Sequence, residues 1–243
     1  MDNTIVGNIQ QLVESRMIIK EGDVSYSPIK LHRIISESKI EKIKIGTLTG
    51  LVDYIKSKID TIQSDKMFVV IDNHESVSLV SNIEDKAIKR DTIIVAELPE
   101  DGNNFPYSQF IRSDEFIIKL QSLFVDSNDR KRLLSYTSKL SVQDSVSLND
   151  DGITQNAIVN KSASGALKET EMAPSIINLI PYRTFREIDQ PESKFLFRLR
   201  SNGPNTVPSC ALFEADGGAW KNQAIKNIKD YLKKELTDMV IIA

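Results

Sequence analysis

The chain has 243 residues but only one cysteine, two histidines and one tryptophan, and each scarcity excludes something. Cys210 has no second cysteine to pair with, so the chain is not a disulfide-stapled secreted scaffold. His32 and His74 have no Cys or paired-His spacing around them that would build a zinc site. Nor does a G-x-S-x-G elbow accompany them, as a serine hydrolase of that class would need. Phosphate-cradling glycine loops of the G-x-x-x-x-G-K-[ST] and G-x-G-x-x-G types are absent. Positive excess is absent too: 31 Lys and Arg face 34 Asp and Glu, a net charge of −3. Global charge therefore gives nucleic-acid binding no support, although a local basic patch remains open. Long apolar runs are missing. Residues 67–71 and 239–243 are strand-sized, far short of the roughly 20 residues that cross a bilayer as a helix. The first residues, Met1-Asp2-Asn3-Thr4, lack the basic and apolar regions of a secretory signal. The expected setting is the cytoplasm, with no membrane contact.

Hydrophobic residues make up 40% of the chain and charged residues 27%, the balance of a globular protein with a substantial core. Asn3 or Thr4 can cap a first helix bearing Ile5, Ile9, Leu12 and Val13. Residues 17–20 and 24–26 flank Glu21-Gly22-Asp23 as a hairpin. Ile40, Ile43 and Ile45 mark a lysine-rich strand. Thr47 opens an amphipathic helix carrying Leu48, Leu51, Val52, Ile55, Ile59 and Ile62 on one face. Three strands follow, at 67–71, 77–80 and 93–98, as an antiparallel meander packed on that helix. Ser113, with Asp114 and Glu115 behind it, starts a helix whose apolar face is Phe116, Ile117, Leu120 and Phe124. A second helix covers 129–140.

The texture then changes to hairpins. Residues 142–148 and 153–159 alternate around Asn149-Asp150-Asp151-Gly152, a turn signal that also accounts for the Asp150-Asp151 pair without a metal. Residues 161–173 are Ser-, Ala- and Glu-rich and read as a loop or bridging arm. Strands follow at 176–180, 193–200 and 209–215. Asp216-Gly217-Gly218 leads into a final helix with Trp220, Ala224, Ile228, Leu232 and Leu236 on one face. There Asp216 caps and the glycines permit a tight turn. The apolar tail at 239–243 is expected to add a strand to a sheet or to a partner chain. The predicted fold is α+β, mainly antiparallel sheets with helices on one side, divided into 1–140 and 141–243 unless the two are continuous.

No catalytic set, metal site or cofactor motif emerges, so the expectation is a protein that is not an enzyme. The densest charged and aromatic stretch is 182–200. Along 193–200, Lys194, Leu196, Arg198 and Arg200 share one face, and Phe195, Phe197 and Leu199 share the other. One reading is an anion or nucleotide site in which guanidiniums grip phosphate and Tyr182 or Phe185 stacks on a base. The other is a solvated strand face, its cations paired across strands with Glu214 and its neighbours.

The strings Tyr182-Arg183-Thr184-Phe185-Arg186-Glu187-Ile188, Pro191-Glu192-Ser193-Lys194-Phe195 with Phe197-Arg198, and CALFEADGGAW from Cys210 to Trp220 resemble prophage proteins of the YfdQ-like domain family of unknown function. The helix at 48–59 and its meander fit the same pattern. The resemblance implies a bacteriophage or prophage origin and a bacterial cytoplasm, and it carries no catalytic residues. Phage accessory proteins of this size include binders that sequester nucleotide-derived immune signals. The leading expectation is therefore a non-enzymatic, homo-oligomeric sponge for a small nucleotide-like ligand. Its contacts would be Tyr182, Arg183, Phe185, Arg186, Arg198, Arg200 and Trp220. The alternative is a DNA replication or recombination accessory protein that binds nucleic acid.

Overall fold

In the computed structural model the described residues are 7–8, 11–13, 19–26, 41–60, 66–83, 90–99, 104–141, 146–150, 155–159, 169–172, 174–200, 203 and 206–243. The strands in chain order are β1 (Ile19–Glu21), β2 (Val24–Tyr26), β3 (Ile43–Ile45), β4 (Met67–Asn73), β5 (Ser76–Ser81), β6 (Thr92–Glu97) and β7 (Ile111–Arg112). They continue as β8 (Val146–Asp150), β9 (Gln155–Val159), β10 (Glu169–Met172), β11 (Ile176–Leu179), β12 (Ser193–Arg200), β13 (Ser209–Glu214) and β14 (Val240–Ile242). The helices are α1 (Leu48–Ser57), α2 (Ser113–Leu123), α3 (Asn128–Ser141) and α4 (Ala219–Glu235), and residues 7–8 and 11–13 are also helical. The fold is α+β and mostly antiparallel, as the alternation of patterns predicts.

Two compact units divide the chain. One comprises Met1–Glu41 and Ile83–Arg90, and the other Lys42–Asn82 and Asp91–Ala243. Within the first, β1 and β2 form the predicted hairpin, with Glu21 opposite Val24 and Gly22 at a φ of 62°. The remainder of the expected first helix, and His32, lie outside the described residues.

The second unit holds two helix-covered sheets. The five-stranded sheet runs β14-β4-β5-β6-β3. Its centre is the predicted meander, and both edges pair in parallel, β14 on β4 and β3 on β6. Val69, Ile71, Val77, Leu79, Ile94 and Ala96 share the helix-facing core with Leu48, Leu51 and Val52 of α1 and Ile228 and Leu232 of α4. Thr47 caps α1 by accepting from the Gly50 amide at 3.1 Å, which satisfies one of the amides a helix start leaves unpaired. The helix ends earlier than its pattern predicts: Lys58 turns left-handed at φ 51°, and Ile59 is left exposed. Ile62 lies outside the described residues.

The four-stranded sheet runs β11-β12-β13-β7. Phe195, Phe197, Leu199, Cys210 and Leu212 on its inner face pack against Phe116, Leu120, Phe124, Leu133 and Leu140 from α2 and α3. Burying each of these large side chains contributes about 1.5–3 kcal/mol. Ser113 does not cap α2 through its side chain. Its buried hydroxyl donates to the Pro208 carbonyl and touches Cys210 Sγ, which pins the helix start to β13. Asp114 and Glu115 still complement the first turn.

β8, β9 and β10 form a separate three-stranded sheet. β10 corrects the reading of 161–173 as a loop, because Glu169–Met172 pairs with β9. Polar alternating residues on an edge strand carry little apolar signal, which is why this strand escaped the pattern. Residues 161–168 lie outside those described.

No natural break falls at Leu140. Phe185, Ile188, Ile228, Leu232 and Leu236, all beyond it, share one core with the strands before it. β14 also completes a sheet whose centre is residues 67–97, so the predicted tail strand joins its own sheet.

Candidate functional site: an Arg and aromatic cluster split by one strand

Residues 182–190 lie in the connection between β11 and β12 of the four-stranded sheet, and one glutamine sets its shape. Gln190 Oε1 accepts from the amides of Arg183 and Thr184 at 3.1 and 3.3 Å, and its Nε2 donates to the Phe185 and Ile188 carbonyls at 2.8 and 3.2 Å. Thr184 donates to the His74 carbonyl at 2.6 Å, and the Thr49 amide donates to Glu187 at 3.1 Å. Asn227 on α4 holds the Asp189 carbonyl at 2.8 Å. The loop is thereby fastened to the β4–β5 turn, to α1 and to α4.

This geometry and the alternation of β12 divide the seven predicted contact residues among four places. Arg183 and Trp220 come together. The Arg183 guanidinium lies 3.8 Å from the Trp220 ring centroid, with the Tyr107 and Phe195 rings at 5.6 and 5.7 Å. It donates to Glu214 and to the Ser193 hydroxyl. Its side chain is only 11% exposed, so burial pushes its pKa down, while Tyr107, Glu214 and Asp216 pull it back up. His74 meets Trp220 edge-on at 4.7 Å. Burial lowers the His74 pKa first, against the pull of Glu75, with Lys221 and Arg183 adding to the lowering. Burial likewise raises the Tyr107 phenol far above its usual range. Among the described residues, Arg183 Nε, Trp220 Nε1 and Tyr107 Oη have no hydrogen-bond partner. A neutralised guanidinium walled in by rings is built to lock the two sheets together.

Tyr182 and Arg186 form a separate surface pair, guanidinium to ring 4.0 Å. Phe185 requires a correction. It is fully buried in the core beside α1 and α4, so no face of its ring is open to a base. Alternation alone cannot distinguish a loop aromatic that stacks on a ligand from one that plugs a core.

Arg198 and Arg200 occupy the fourth place, on the opposite face of β12 from Ser193 and Phe195. Cross-strand register builds that outer face: Lys194 lies opposite Asn178, Leu196 opposite both Ile176 and Phe213, and Arg198 opposite Ala211. Arg200 is opposite Ser209, which is in turn opposite Arg112. Lys194 and Arg200 are exposed, and Arg198 is half-buried. The Arg200 guanidinium sits 3.9 Å over the Phe110 ring, and Phe110 contacts Phe213 edge-on at 6.0 Å. Among the described residues, Lys194, Arg198 and Arg200 have no carboxylate partner. Glu214 faces inward opposite Phe195 and is paired with Arg183, so it cannot serve them. Arg112 is paired with Asp114 at 2.7 Å.

Phe110 and Phe213 are the residues the sequence did not nominate. Phe213 was legible in retrospect, because it shares the Arg face by register. Phe110 precedes a strand of only two residues, which leaves no periodic signal. Among the described residues, no group of three or more His, Cys, Asp or Glu could hold a metal ion, and no helix is long and apolar enough to cross a membrane. No protein-family model, curated protein or solved structure matches this chain.

Proposed function

We propose that this chain is a non-enzymatic binding protein for a nucleotide-derived anion, and that the ligand sits on the outer face of β11-β12-β13-β7. One observation carries the reading: the Arg200 guanidinium carbon lies 3.9 Å over the Phe110 ring, with no carboxylate partner among the described residues. A cation held over a ring spends no N–H on a carboxylate, and a guanidinium with N–H groups to spare can grip a phosphate through two parallel bonds. Arg198 and Lys194 extend the positive potential along the same strand. Phe110 and Phe213, both half-buried, supply apolar ring surface for a base. Nothing in the proposal requires a covalent step. The buried Arg183 cluster contributes by holding the sheet in place.

The test is calorimetric titration of the purified chain with mononucleotides, cyclic nucleotides and ADP-ribose derivatives. The ligand is then recovered by heat denaturation and checked for integrity. Binding with intact recovery is expected. Arg200→Ala should weaken it about 10–100-fold, the value of losing a charge-assisted contact worth roughly 1.5–3 kcal/mol. Heat of binding that is unchanged in Arg200→Ala would place the ligand elsewhere, and a chemically altered ligand would make the protein an enzyme.

A further inference from the structure

We infer that the ligand class of this face is single-stranded nucleic acid lying in an extended path along β12, an inference that rests on the nucleotide-binding reading above. The first reason is shape. The exposed residues of the face, Lys194 and Arg200, stand at opposite ends of the strand, with Leu196, Arg198 and Phe213 half-buried between them, whereas small ligands prefer a single concave site that buries most of their surface. The second is length. Six residue steps separate Lys194 from Arg200, about 20 Å at roughly 3.3 Å per step, so one nucleotide cannot reach all three cations at once. A strand following β12 can.

The third reason is the placement of the rings. Phe110 and Phe213 flank the Arg200 end, and Leu196 and Ile176 continue the apolar surface beside the cations. Bases and phosphates of a single strand are served by adjacent apolar and cationic tracks. A duplex presents stacked, inaccessible bases and would leave the rings unused. The net charge of −3 is spread over the whole chain, and two carboxylates of the neighbouring segments are engaged by other cations, Glu214 by Arg183 and Asp114 by Arg112.

The experiment is fluorescence anisotropy of end-labelled 12-nucleotide DNA and RNA strands, their duplexes, and a labelled mononucleotide, across a salt series. Affinity is expected to rise at least tenfold from mononucleotide to 12-mer and to favour single strands over duplexes. The salt slope should be about −2, three neutralised phosphates at roughly 0.7 each. Lys194→Ala and Arg200→Ala should each flatten that slope by about 0.7. Phe110→Ala should weaken binding at constant slope, with circular dichroism confirming the fold. The exposed Lys194→Ala keeps the test informative should Phe110→Ala disturb packing. Mononucleotide binding with no gain from length overturns the extended-strand inference and leaves the nucleotide-binding reading standing. Equal affinity for duplexes overturns it as well. Absence of binding by every probe overturns both. The DNA and RNA arms identify which strand is preferred.

Discussion

Deleting the partner of the buried guanidinium should cost more than deleting the pair. Arg183 is nearly enclosed, while Glu214 is about one-third exposed. Glu214→Ala leaves a buried cation held by the Ser193 hydroxyl, three rings and the charge of Asp216. Breaking a buried pair in this way costs about 3–5 kcal/mol, and the partial exposure of Glu214 lowers the figure to roughly 2–3. Arg183→Met alone strands a carboxylate that water can reach, at about 2 kcal/mol. The double variant removes the stranded charge and fits a thioether among rings. It loses the cation–π contact and one hydroxyl bond, about 1–2 kcal/mol in sum. The single losses then exceed the double loss by roughly 2–4 kcal/mol, the coupling energy of the pair. Urea unfolding resolves this cleanly because the chain's one tryptophan, Trp220, stacks on Arg183 itself. Its fluorescence reports the junction, and circular dichroism reports the whole. If Glu214→Ala unfolds within 0.5 kcal/mol of the parent, or the double variant is as unstable as the sum of the singles, the enclosed-cation argument is wrong.

Two further predictions concern buried titratable groups. His74 is held below the ordinary histidine value of about 6.5 mainly by burial, so the unfolded chain takes up its proton first. Stability therefore falls as pH drops below about 6.5 and stops falling on this account once His74 is protonated in the fold. Urea midpoints between pH 7.5 and 5 should show that loss, and His74→Gln should flatten it; an identical pH profile in the variant would refute the assignment. Burial pushes the Cys210 thiol up to about 12, partly opposed by Ser113, so it should resist a thiol-reactive disulfide reagent at pH 8 in the native state and react promptly in denaturant. Fast native labelling would show that β13 opens.

Long-period signals in the sequence located most elements. The fours in Trp220, Ala224, Ile228 and Leu232 place all four in the core, and the alternation of β12 predicted its two faces residue by residue. Gly217 and Gly218 take the positive φ expected of the turn, but Asp216 does not cap α4: it accepts from the Gly218 amide at 3.0 Å, and Gly218 is itself the N-cap, with no side-chain cap bond. Pairing partners were not legible, because register between distant strands leaves no local trace. Hence the cluster at 182–200 looked single, although a β12 side chain and its neighbour point to opposite faces. The Arg183 cluster draws Tyr107, His74 and Glu214 from three other segments, and only the folded chain brings them together. Phe185 misled because a core residue in a loop has no period to betray it.

The outermost strand of the five-stranded sheet has a consequence for how the chain is made. β4 pairs on one side with β5, a few residues away, and on the other with β14, through Phe68 opposite Val240. During synthesis the meander and α1 emerge before α4 and β14, which follow every other described element. Until then β4 presents a bare row of amides and carbonyls beside a half-covered core, the kind of edge on which unrelated strands pair. Closing so long a loop is slow relative to local steps. A nascent chain of this protein thus has a defined interval of vulnerability, and its final strand acts as a seal rather than as an ornament.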